Sequence, residues 1–126
     1  MNEKVKTTFD KQDHLDRVLP YVLDDETLYV VYDCMGVGTG FVGVTDKRLI
    51  YFDQDMTGLF KSKKMVSLPY HQIVAVMAAD DGGTLGIGKS SSIHLTTTGT
   101  FTSSFVFRGA DKAMWLYRFI VSKILK

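Results

Sequence analysis

From Leu28 onward the chain repeats one pattern seven times: a short alternating or continuous apolar stretch, then a cluster of turn formers. The stretches are LYVVYDCM, GFVGVT, RLIYFD, KMVSLPY, IVAVMA, SIHLTT and TFTSSFVFR. Valine, isoleucine, threonine and aromatic side chains suit a pleated, half-buried surface, so these stretches read as strands. The separators are turn chemistry: Gly36 to Gly40, Thr45-Asp46-Lys47, Asp55 to Lys64, Asp80 to Ser91, and Thr98-Gly99-Thr100. In SIHLTT the alternation puts Ile93 and Leu95 inward, with His94 and Thr96 outward. In TFTSSFVF it puts Phe101, Phe105 and Phe107 inward, with Thr102 and Ser104 outside. Seven such strands predict a mainly β barrel or sandwich of mostly antiparallel neighbours.

Helices are expected at both ends of this β region. Leu15, Val18, Leu19, Val22 and Leu23 recur at helical spacing, but Pro20 interrupts them. Proline has no N–H to donate and disfavours helical geometry at the residue before it. The reading is a helix over about 11–19, then a turn carrying Tyr21 to Leu23 onto the core, with Asp24-Asp25-Glu26 as a solvated connection. Residues 1–10 are expected to be a flexible N-terminus, and 11–126 a single domain. After Gly109-Ala110, Asp111 opens a helix over about 110–125, where its charge suits the helix dipole. No internal repeat or low-complexity stretch is visible.

Two glycine motifs invite a nucleotide reading, and local context removes it. GTLGIGKS, Gly83 to Ser90, matches the phosphate-loop pattern in full, offering Lys89 and Ser90 to phosphate and magnesium. That loop works only where it delivers phosphates to a helix N-terminus, and here SSSIHLTT and TFTSSFVF follow as strands. Gly38-Thr39-Gly40-Phe41-Val42-Gly43 fits the dinucleotide fingerprint, yet it too enters a strand. Its glycines are read as a hairpin turn, with Gly43 relieving crowding inside a curved sheet. No nucleotide or other cofactor is expected.

Catalytic and metal constellations are missing as well. His14, His71 and His94 fall on a helix, a strand-end turn and an outer strand face, with no i,i+4 pair. Asp53, Asp55, Asp80 and Asp81 read as solvated turn acids, and Cys34, the single cysteine, as a small core residue. A lone cysteine makes neither a disulfide framework nor a cysteine-based zinc site. The net charge of +1 gives no global footprint for nucleic acid. No apolar run is long enough to span a bilayer, and the first residues lack the apolar core of a signal peptide. A non-catalytic cytoplasmic protein is expected, free or peripheral at the inner membrane face.

TDKRLIYFD (Thr45 to Asp53), SLPYHQI (Ser67 to Ile73) and FRGADKA (Phe107 to Ala113), led in by LPYVLDDETL, resemble the bacterial pleckstrin-homology (PH)-like domains in order and motif. The resemblance runs from Leu19 to Lys126. It implies a PH-like seven-stranded barrel or orthogonal sandwich, with the C-terminal helix closing one end. Inositol-phosphate binding does not carry over, because those PH domains place basic residues around the first hairpin and CMGVGTGF has none.

Two functions follow as expectations. The first is an interaction or scaffold domain that forms homo-oligomers or meets a protein partner; the resemblance supports it, since some family members form homo-oligomers. Its candidate interface is Trp115, Arg118 and Phe119 on the C-terminal helix, where an aromatic beside an arginine has the chemistry of an interface anchor. On a helical wheel Ala113, Leu116, Tyr117, Ile120 and Ile124 cap the core, leaving Trp115 and Phe119 towards solvent. The second is a peripheral membrane or lipid-binding domain using the loop Gly58 to Lys64. There Lys61, Lys63 and Lys64 sit beside Leu59 and Phe60, and each lysine near an anionic leaflet is worth about 1 kcal/mol.

Overall fold

A computed structural model describes residues 6–35, 39–55, 62–80, 90–99, 102–109 and 111–125. The chain divides into two compact units, Met1–Leu68 and Pro69–Lys126. Among the described residues there are eight strands in two open sheets, where the sequence predicts seven strands in a barrel or orthogonal sandwich; the sheets do not close into a barrel.

The additional strand is β1, Thr8–Phe9, which pairs in parallel with β2, Leu28–Asp33. Two residues carry no readable periodicity, so their pairing shows only in three dimensions. Two further bonds accompany this pairing. Thr7 donates its hydroxyl to the Leu28 carbonyl at 2.8 Å, and the Asp33 N–H donates to the Asp10 carboxylate at 2.8 Å. β3, Thr39–Thr45, β4, Arg48–Asp55, and β5, Ser62–Pro69, complete the first sheet in sequence order.

Register sorts the first sheet into two apolar faces. Val31, Gly43 and Ile50 form one row, and Val30, Val44 and Leu49 the next. Both faces are buried, which is why LYVVY runs apolar without alternating. Helix α1, Gln12–Val18, lays Leu15 and Val18 into the core cluster of Leu28, Val31, Phe41 and Ile50. A methyl at Gly43 would stand 3.1 Å from Val18 Cγ1, so the glycine lets helix and sheet approach. The α-helix ends one residue before the expected Leu19, because Leu19–Tyr21 tightens into a 3-10 turn around Pro20.

The second unit is a meander with a helix. A 3-10 turn, Tyr70–Gln72, leads into β6, Ile73–Asp80, followed by β7, Ser90–Thr97, and β8, Thr102–Arg108. Ala78, Ile93 and Phe105 form one row, and Met77, His94 and Ser104 the row on the opposite face. Ile93, Leu95, Phe105 and Phe107 are buried and His94 and Thr96 exposed, as the alternation predicts. Phe101 lies outside the described residues. Gly109, at φ +89°, turns the chain into α2, Asp111–Ile124, which packs on all three strands through Ala113, Leu116 and Ile120. Ser91 ties this corner: its hydroxyl donates to the Gly109 carbonyl at 2.7 Å and accepts from the Ala113 N–H at 3.4 Å.

Candidate functional site

The buried side of α2 leaves a second face outward. At 100° per residue, Met114, Trp115, Arg118, Ser122 and Leu125 lie opposite Leu116 and Ile120. All five are exposed: Met114 by 54%, Trp115 by 37% and Leu125 by 76%. Trp115 stacks on Phe119 at 5.2 Å between ring centroids, with the planes 20° apart. Phe119 does not lean into solvent as expected; it is half-buried, 5.9 Å from the Tyr70 ring, with the Lys123 ammonium 5.4 Å over its own. The structure therefore brings Trp115, Arg118 and Phe119 onto neighbouring parts of one helix, with Trp115 and Arg118 outermost. Met114 and Leu125, which extend the face, are legible on the same helical wheel.

The basic segment stands in part differently from its reading as a loop. Strand β5 begins at Ser62, so Lys63 joins Lys64, the first residue of KMVSLPY, in strand backbone, while Lys61 lies outside the described residues. A strand here continues the apolar Met65 and Val66 backwards along one sheet edge, a pairing that charge composition does not report.

The first unit holds a polar cluster that the sequence reading assigns to solvent. Glu26 has a fully buried side chain, and Arg48 grips it with both arms, Nε to Oε2 and Nη2 to Oε1, each at 2.8 Å. The Thr45 hydroxyl donates to Oε2 at 2.7 Å and the Leu23 N–H to Oε1 at 3.1 Å. Arg48 also donates to the Tyr21 carbonyl and to the Ser67 hydroxyl, each at 2.6 Å. Burial pushes the Glu26 pKa up, but the bonds from Arg48, Thr45 and Leu23 and the Arg48 charge outweigh it, holding it at about 2. Two further links flank the pair: the Lys47 ammonium on Asp25 at 2.8 Å, and the Thr27 N–H on Asp46 at 2.9 Å. The motif TDKR is thus the partner of the lead-in DDET. Its signal in the sequence is complementary charge order, Asp25 to Lys47 and Glu26 to Arg48, each 22 residues apart.

The remaining candidates scatter. His14 stacks on Phe41 at 4.3 Å, its Nδ1 3.8 Å from Asp33 Oδ1. His94 sits on the exposed sheet face beside Ser104, 2.8 Å away, and His71 is exposed in the second 3-10 turn. Cys34 is buried. Ser90 opens β7 as a strand, so the helix a phosphate loop needs does not follow it; Gly83 to Lys89 lie outside the described residues. Gly40 to Gly43 likewise run within β3. Among the described residues no three acidic, histidine or cysteine side chains gather as a metal site, and no helix is long and apolar enough to cross a membrane.

A family model described as "Bacterial PH domain" matches residues 23–114. The match begins at Leu23 beside the Glu26 cluster and ends at Met114 within α2. Among solved structures, a pleckstrin homology domain from Shewanella amazonensis SB2B is similar, at 25% sequence identity and a TM-score of 0.60. The alignment covers 93% of this chain and 100% of that one. No curated protein matches.

Proposed function

The chain belongs to the bacterial PH domain family, and we propose that it works as a non-catalytic interaction module that associates with further copies of itself. The observation that carries this reading is the outward face of α2, where Met114, Trp115 and Leu125 hold apolar surface in water around Arg118. Scattered apolar residues need no explanation, but these lie together on one face of a single helix. An aromatic with an arginine is the pairing that anchors interfaces.

The experiment is light scattering on the full chain and on Met114→Glu/Trp115→Glu, with circular dichroism to confirm folding. The expected result is a wild-type mass of more than one chain at tens of micromolar, falling to one chain in the variant. A monomeric wild type that co-sediments with anionic vesicles, and loses this on reversing Lys61, Lys63 and Lys64, would replace this reading with the membrane one.

A further inference from the structure

We infer that β6 takes up a further strand: its open edge binds an extended, uncharged segment of another protein by main-chain pairing. This binding is separate from self-association through α2, because it uses the sheet edge and not the outward face of the helix.

Three observations carry this. The first is composition. β6 reads Ile-Val-Ala-Val-Met-Ala-Ala before Asp80, a run without charge, proline or glycine. Such a run belongs to a strand covered on both faces, as β2 is. β6 is covered on one: Ala78 shares the inner row with buried Ile93 and Phe105, while Ala75 and Met77 face water, Met77 by 63%. Its neighbours behave otherwise, since the same outward rows carry His94 and Thr96 on β7 and Ser104 on β8. The second is position. Among the described residues β6 pairs with β7 alone, at the edge of the second sheet. From Ala75 to Asp80 its register is unbroken, so its other edge presents N–H and C=O groups at strand spacing. Elsewhere the edges are less inviting: β1 has two residues, β5 carries Lys63, Lys64 and Pro69, and β8 turns Ser104 outward and ends on Arg108. The third is the flank. α2 packs on β6 and on the 3-10 turn before it, where half-buried Phe119 lies 5.9 Å from the Tyr70 ring. A strand added to β6 would turn half of its side chains towards this helix and the other half level with Met77.

The open main-chain edge selects the partner. A helix could cover Met77, but it brings no row of backbone donors and acceptors at strand spacing; an extended chain brings both. The side chains of that segment meet Met77 and Phe119, so apolar or small residues fit there, and lysine or proline does not.

The test selects peptides as long as β6, eight residues, from a displayed random library on the full chain, and measures the best synthetic peptide by fluorescence anisotropy. Selected sequences should alternate β-branched or aromatic residues and lack proline. N-methylating every second amide of the peptide should weaken binding by about tenfold or more, because those N–H groups face β6. Methylating the intervening amides should change it by less than about twofold. Ala75→Lys/Met77→Lys, at two exposed positions, should also weaken binding by about tenfold or more, with the circular dichroism spectrum unchanged. On the wild type, the peptide should slow hydrogen exchange at β6 amides. Failure to select any peptide, equal losses from both methylated sets, or exchange protection confined to α2 would overturn strand addition. Light scattering of the lysine variant separates this edge from self-association: it should match the wild type, since α2 is untouched. A lower mass in that variant would make the β6 edge a contact between copies and overturn the assignment to another protein.

Discussion

The hairpin of β7 and β8 buries Ile93, Phe105 and Phe107, the junction of Asp24–Thr27 with Thr45–Arg48 buries Glu26 and Thr45, and different forces hold the two. In the hairpin, Ile93 pairs with Phe105 and Ser91 with Phe107, and apolar area leaving water supplies the stabilisation. In the junction a carboxylate is buried whole, and only the bidentate arginine and two further donors make that tolerable. The two should therefore fail differently. Losing apolar contact is graded, whereas losing one partner of the ion pair strands a charge.

The largest expected effect is on that pair. Arg48→Ala should destabilise by about 3–5 kcal/mol in urea unfolding, since Glu26 stays buried without its cation. Arg48→Met with Glu26→Leu should recover most of the loss, because the charge leaves with its partner. A single-variant cost below about 1 kcal/mol would show water reaching the carboxylate, and the contrast with the hairpin would collapse.

Acid sharpens the same contrast. The folded pKa of Glu26, about 2, lies below its ordinary 4.5, so its contribution is complete above pH 4.5 and is lost as pH falls towards 2. The loss is on the order of 3 kcal/mol across that window. Glu26→Gln, though less stable at neutral pH, should show a correspondingly smaller fall. An equal fall in both proteins would assign acid sensitivity to other carboxylates.

How much of this was legible follows from the same two regions. Periodicity reports which side chains face a core, so Ile93, Leu95, Phe105 and Phe107 are readable one by one, as is the two-faced α2. It reports nothing about a polar residue buried by a partner 22 positions away, and three acids in a row ordinarily mean solvent. Asp24 and Asp25 meet that expectation, while Glu26, next to them, does not. β1 was hidden because Thr8 and Phe9 gain strand geometry only from Val30 and Val31. Ser62 and Lys63 read as a loop because their polarity hides the start of β5, which the sequence reading begins at Lys64.

Smaller effects test the edges of the comparison. Ser91→Ala removes the link between the Gly109 carbonyl and the Ala113 N–H, and should cost about 1–3 kcal/mol in thermal or urea unfolding. A neutral result would mean that water replaces the hydroxyl. Lys47→Ala should leave the unfolding midpoint unchanged within error, although Asp25 lies 2.8 Å away, because both side chains stand in solvent. A loss approaching that of Arg48→Ala would mean that the outer pair belongs to the buried cluster.

The central functional claim, that this PH domain assembles with itself through α2, is tested most directly by sedimentation equilibrium of the full wild-type chain over a hundredfold concentration range. The expected result is a weight-average mass that rises with concentration above that of one chain. A mass fixed at one chain up to the highest concentration would contradict it.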